Sequence, residues 1–151
     1  MMTPHDNLFF GIHVPFLSFL DMQAVHLGNG QSEIAIEMRE ELANHFHSLH
    51  GGVIATLLDV AMATAGRSLN PDLGVATVSM TTNFLSSPKE GRIVARGRIQ
   101  KAGRNMVFCE GEVVDATGTL VATGIGTFLV RRGKSTVDAN PASSRSAPAD
   151  A

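Results

Sequence analysis

The 151-residue sequence predicts an α+β fold: one six-stranded antiparallel sheet wrapped around a single central helix, with a short helix at the N-terminus. Three observations lead there. Six segments read as strands, several alternating apolar with polar residues at a period of two. One segment between the second and third strands repeats its apolar residues at helical spacing. That segment also carries almost no charge, so it is expected to be buried all round, with one face across the sheet and the other covered by a second subunit.

Taken in order, residues 8–20 are apolar but interrupted by Gly11, His13 and Pro15, and no Lys or Arg precedes them. The charge pattern of a signal peptide is missing, and the stretch is too short to span a bilayer. We expect a short helix packed on the domain, no membrane association and a cytoplasmic protein. Residues 21–27 and 32–39 flank the turn Gly28-Asn29-Gly30; in the second, Ile34, Ile36 and Met38 alternate with Glu33, Glu37 and Arg39. The helix is expected over residues 51–68. Val53, Leu57, Ala61 and Thr64 form one stripe, with Ile54, Leu58 and Ala65 beside it. Strands are expected at residues 75–84, 92–101, 105–115 and 119–130. Ile93, Ala95, Gly97 and Ile99 face one way and Arg96, Arg98 and Gln100 the other, while Asp115-Ala116-Thr117-Gly118 supplies a turn. Residues 1–132 thus make one domain. Residues 133–151, rich in Ala, Ser and Pro, bury too little to offset their ordering entropy and are expected to be a disordered tail.

Bulk composition excludes several function classes. A net charge of −2 provides no broad field for nucleic acid. The single cysteine, Cys109, rules out an intrachain disulfide and a multi-cysteine zinc site, and it sits in an alternating strand as core filler. His45, His47 and His50 lack the His-Glu-x-x-His spacing of a zinc enzyme. Neither a metal nor any other cofactor is expected.

Between His50 and Gly66 there is no Lys, Arg or Glu, and Asp59 is the only carboxylate. At 100° per residue, Asp59 falls beside Ala55, Thr56 and Ala63, opposite the large side chains. An isolated carboxylate on such a strip needs a partner or a role, because burying it alone is costly.

The segment from Asn44 to Asp59 has an Asn six residues before His50-Gly51-Gly52 and a carboxylate nine residues after the His. This pattern resembles the hotdog-fold thioesterases, in the branch of the PaaI-type and 4-hydroxybenzoyl-CoA enzymes, and the resemblance covers about residues 15–131. It implies hydrolysis of an acyl- or aryl-CoA thioester to free acid and coenzyme A. It further implies that His50-Gly51-Gly52 starts the central helix, with the Gly52 amide donating to the oxyanion and Gly51 admitting substrate close to the backbone. Asp59 would be nucleophile or general base, Asn44 would position water or the carbonyl, and His50 would help hold the thioester. Thr77 would place a hydroxyl near the attacking group. The turn formed by Lys101, Gly103 and Arg104 would meet the nucleotide end of coenzyme A, with Lys89, Arg131 and Arg132 as further basic residues near strand ends. The family places its active site between two subunits, which implies a homo-oligomer, a dimer or a dimer of dimers (homotetramer), with Asp59 of one chain facing Gly52 of the other.

Phe16, Phe19, Phe46 and Phe84 are candidates for lining an apolar acyl pocket. Three other readings stand beside hydrolysis of a CoA ester. A hotdog hydratase or dehydratase would need a differently placed His and acid, a non-catalytic acyl-CoA sensor would need an output domain, and a carrier-protein thioesterase would share the chemistry.

Overall fold

A computed structural model describes residues 8–131 of the chain; the tail expected at residues 133–151, and Arg132, lie outside the described residues. The elements are α1 (Pro15–Phe19), β1 (Gln23–Gly28), β2 (Gln31–Glu37), α2 (Gly51–Arg67), β3 (Gly74–Phe84), β4 (Arg92–Ala102), β5 (Met106–Val114) and β6 (Leu120–Arg131). All six strands form one antiparallel sheet in the order β1-β2-β4-β5-β6-β3. This is the expected architecture, and each expected element is present within a few residues of its expected bounds. No helix of the described residues is long and apolar enough to cross a membrane.

Local chemistry explains the ends of the elements. Asn29 and Gly30, both with positive φ, form the two-residue turn that joins β1 to β2. Pro15 opens α1, and the Arg39 guanidinium donates to the carbonyls of Phe19 (2.7 Å) and Leu20 (3.2 Å) at its C-terminal end. Between β5 and β6, Asp115 accepts from the Thr117 hydroxyl and from the Thr117 and Thr119 amides. The Thr117 hydroxyl is the main reason its carboxyl is held below the ordinary value.

The helix meets the sheet over a row of small residues. Ser32, Gly97, Gly111, Gly124 and Thr82 pair one with the next across five strands. A Cβ on Gly97 would lie 2.3 Å from the Ala61 carbonyl oxygen, and one on Gly111 3.1 Å from the Met62 side chain. The Ser32 hydroxyl donates to that same Ala61 oxygen at 2.5 Å. At Gly97 helix backbone therefore rests on sheet backbone, as happens where a strand glycine replaces a side chain, while the Leu58 side chain lies over Gly111 and Gly124. Ile54, Leu57, Leu58, Ala61, Met62 and Ala65 of the helix are buried with Ile34, Ile36, Ile93, Val113 and Phe128 of the sheet.

The outer face of the sheet carries ion pairs beside exposed apolar side chains such as Phe108 and Ile125. Arg96 pairs with Glu33 (2.9 Å) and Glu112 (3.5 Å), and Arg98 with Glu110. A cleft of about 720 Å³ lies on this face, lined in part by Glu33, Arg96, Arg98, Glu110, Glu112 and Thr123. None of the candidate site residues lines it.

Replacing Gly97 with Ala drives a methyl group into the Ala61 carbonyl and should destabilise the fold by about 3 kcal/mol. Gly74→Ala, whose Cβ would meet only the Arg131 side chain at 3.8 Å, is the control; chemical denaturation of both variants measures the difference. Burial pushes the Cys109 thiol up to about 11. An exposed thiol ionises near ~8.5, so its contribution to stability is fully present below that pH and is lost as pH rises toward the folded value. At pH 8 the native chain should react slowly with a thiol reagent and the unfolded chain quickly, which a colorimetric thiol titration reads directly.

Candidate active site

Three groups of candidate residues lie along the axis of α2. At its N-terminal end are Asn44, His50, Gly51 and Gly52; near its middle are Asp59 and Thr77; toward its C-terminal end is the β4–β5 turn with Lys101, Gly103 and Arg104. The last placement follows from Gly66, where an added Cβ would lie 3.6 Å from Val107 of β5.

The loop before the helix is organised by Asn44. Its Oδ1 accepts from the Phe46 amide (2.9 Å), the Ser48 amide (3.2 Å) and the Ser48 hydroxyl (3.1 Å), which fixes an Asx-type turn with His47 at positive φ. With the oxygen engaged three times, the Asn44 amide NH₂ is the part left to face a ligand. Asn44 can therefore offer hydrogens but not accept them.

His50 is the N-cap of α2. Its Nδ1 accepts from the Gly52 amide at 2.8 Å, while its carbonyl receives the Val53 and Ile54 amides. The Gly52 N–H, the expected oxyanion donor, is thus engaged by the imidazole of the preceding turn. The Gly51 amide, one residue earlier, makes no hydrogen bond among the described residues. It is the orphan donor at the positive end of the helix dipole.

Asp59 lies half-buried on α2, flanked by the half-buried Ala55, Thr56 and Ala63 as the helical wheel predicts. The Thr77 hydroxyl donates to its Oδ1 at 2.5 Å. Thr77 reaches the helix because β3 carries a bulge: Thr77 pairs with Phe128 and Ser79 with Thr127, leaving Val78 as the extra residue. Nothing in the sequence pattern marked that bulge. One carboxylate oxygen is thus held, and the described hydrogen bonds leave Oδ2 for reaction.

The face of α2 that bears Asp59 is only half covered. Gly52 is exposed, and Val53, Ala55, Thr56, Val60 and Ala63 are half-buried, so the expectation of a helix buried all round is met within one chain only on the sheet side. The neighbouring β3 is an edge strand of eleven residues with Val78 58% and Phe84 56% exposed. Phe84 packs over the helix start, its ring 3.6 Å from where a Gly51 Cβ would be. Phe16, Phe19 and Phe46 are also exposed, so the four phenylalanines enclose no acyl pocket within one chain. Among the described residues no three His, Cys, Asp or Glu side chains are grouped to hold a metal ion.

Comparison with known proteins agrees with this architecture. Residues 46–122, just over half of the chain, match the model of the thioesterase superfamily. A Halobacterium salinarum protein named as a candidate esterase is 34% identical over 128 residues, spanning 77% of this chain and 84% of that protein. The 1,4-dihydroxy-2-naphthoyl-CoA hydrolase of Listeria monocytogenes is 25% identical over 75% of this chain and 93% of its own. A solved structure from Pseudomonas aeruginosa superposes with a TM-score of 0.76 at 29% identity, covering 79% of this chain and 95% of that one. The central helix opened by His50-Gly51-Gly52, the enclosing antiparallel sheet and these matches together establish that the chain belongs to the thioesterase superfamily, the hotdog-fold family of thioester hydrolases.

Proposed function

We propose that the protein hydrolyses an acyl- or aryl-CoA thioester to the free acid and coenzyme A, at a site shared between two copies of the chain. The observation that carries this reading is the placement of Asp59. Its carboxylate is held by Thr77 on a half-open strip of small residues, yet it lies eight residues beyond the unpartnered Gly51 amide. At 1.5 Å per residue that separation is about 12 Å. One thioester carbonyl cannot touch both groups of a single chain.

A two-fold axis resolves the distance. Thr77, which holds Asp59, and Phe84, which covers Gly51, lie toward opposite ends of the edge strand β3. Antiparallel pairing of two β3 edges that sets Thr77 near the partner's Phe84 also carries Asp59 toward the partner's Gly51. The same pairing satisfies the open edge and covers the bare flank of α2. A second doubling to a tetramer is compatible with this dimer.

In such a site the thioester carbonyl accepts from the Gly51 amide, which stabilises the negative charge that develops on oxygen. His50 and the Asn44 amide donate alongside it. Asp59 acts from the other subunit through Oδ2: it either takes a proton from the water that attacks the carbonyl carbon, or attacks that carbon itself to form an acyl anhydride that water then hydrolyses, and on both routes the thiolate of coenzyme A leaves. The β4–β5 turn stands about 11 Å along the axis of α2 from Asp59, by the helical rise from Asp59 to Gly66. Lys101 and Arg104 of that turn would meet the phosphates of the bound nucleotide. The Listeria relative, a CoA-thioester hydrolase by name, supports the choice of substrate class. The partner of Asp59 is a hydroxyl rather than an imidazole, which favours hydrolysis over a hydratase reading.

Asp59→Asn should lower kcat by ~10²–10⁴-fold on whichever CoA ester the wild type cleaves, with the fold intact by circular dichroism; an active variant would remove Asp59 from the chemistry. Thr77→Val should cost on the order of tenfold to a hundredfold in kcat by releasing the carboxylate. The shared site has its own test. Asp59→Asn chains mixed with Asn44→Ala chains place both defects in one site of each heterodimer and neither in the other, so about a quarter of wild-type activity should return on subunit exchange. A site confined to one chain would stay inactive in the mixture.

A further inference from the structure

Gly51 and Gly52 are neighbours of the same residue type, but their surroundings differ. A Cβ on Gly51 would meet only the Phe84 ring, at an ordinary 3.6 Å. A Cβ on Gly52 would stand 3.1 Å from Nδ1 and 3.4 Å from Cε1 of His50, tighter than normal contact. The Gly52 amide also supplies the hydrogen bond, 2.8 Å long, that seats the same imidazole. Both the missing side chain and the N–H of Gly52 therefore serve His50.

That bond has a chemical consequence. An imidazole nitrogen that accepts from an amide carries no proton, so the neutral ring must carry its single hydrogen on Nε2. Its one N–H then points away from the helix backbone. A protonated ring would set an Nδ1 hydrogen against the Gly52 hydrogen and lose the cap. We propose that Gly52 is a positioning residue for His50: it seats the ring and locks the Nε2–H tautomer, so that His50 presents a single fixed donor beside the free Gly51 amide. The kinetic part of this inference rests on the thioesterase reading above; the tautomer does not.

The experiment has two arms. The first is the nitrogen-15 spectrum of the imidazoles in the full-length wild-type protein without substrate, at neutral pH. His50 is assigned by the signal lost in His50→Asn, and it should show the Nε2–H pattern; an Nδ1–H pattern, or an average of the two tautomers, overturns the lock. The second arm is a double-mutant cycle. Asn is an efficient N-cap, so His50→Asn should keep the melting temperature within about 2 °C of wild type while kcat falls. Gly52→Ala should lower kcat by about tenfold in the wild-type background and change it little in the His50→Asn background. An equal loss in both backgrounds overturns the positioning role, as does full turnover by His50→Asn. An Nε2–H spectrum in a protein that cleaves no thioester would instead overturn the proposed function and leave the tautomer lock standing.

Discussion

The close approach of α2 to the sheet is the constraint on which the rest of the structure depends. The Ala61 carbonyl sits where a Gly97 side chain would be, and the Ser32 hydroxyl caps that same oxygen. No helix with ordinary strand side chains beneath it can come this near, since the interior is already packed to crystal-like density. At Gly111 and Gly124 the space left by the missing strand side chains is taken by Leu58, and at Gly111 also by Met62, which belong to the same core as Leu57, Ile34, Val113 and Phe128. The helix is locked in rotation as well as in height, so its other face is fixed too.

That second face is where the chemistry lies. Turning the small strip of Ala55, Asp59 and Ala63 away from the sheet leaves a carboxylate at the surface of a mostly apolar element. A carboxylate there costs little in a single chain, because water still reaches it. Covering it demands compensation, which Thr77 provides in part. The bulge at Val78 is the device that lets an edge strand supply that hydroxyl.

The turn ahead of the helix solves a different problem. Four amides at a helix start need partners. In this chain His50 takes the Gly52 amide, the next turn of helix takes none of the Gly51 amide, and Asn44 spends its oxygen on the loop itself. The outcome is a rigid turn whose remaining polar hydrogens point outward. Short-range bonds within residues 44–54 hold the turn together with the Leu49 amide on the Pro88 carbonyl and the His50 amide on that of Leu42, whereas the carboxylate is positioned by a contact between residues eighteen apart.

The sequence by itself determined the elements, their amphipathic faces and the motif. Period-two alternation in β2 and β4, the helical stripes of α2 and the Asn29-Gly30 turn are local signals, and each is decided by backbone geometry within a few residues. The position of Asp59 on the small strip followed from the 100° step alone. The strand order, with β3 beside β6 rather than β4, was decided only in three dimensions, because register between distant strands depends on which faces fit the helix. So were the bulge that turns Thr77 inward, and the seating of His50 on Gly52. A hydrogen bond of 2.8 Å depends on rotamer and approach, which residue spacing does not encode. The same reason moved the open amide from Gly52 to Gly51: the sequence shows two equivalent glycines, and only the direction of one imidazole distinguishes them.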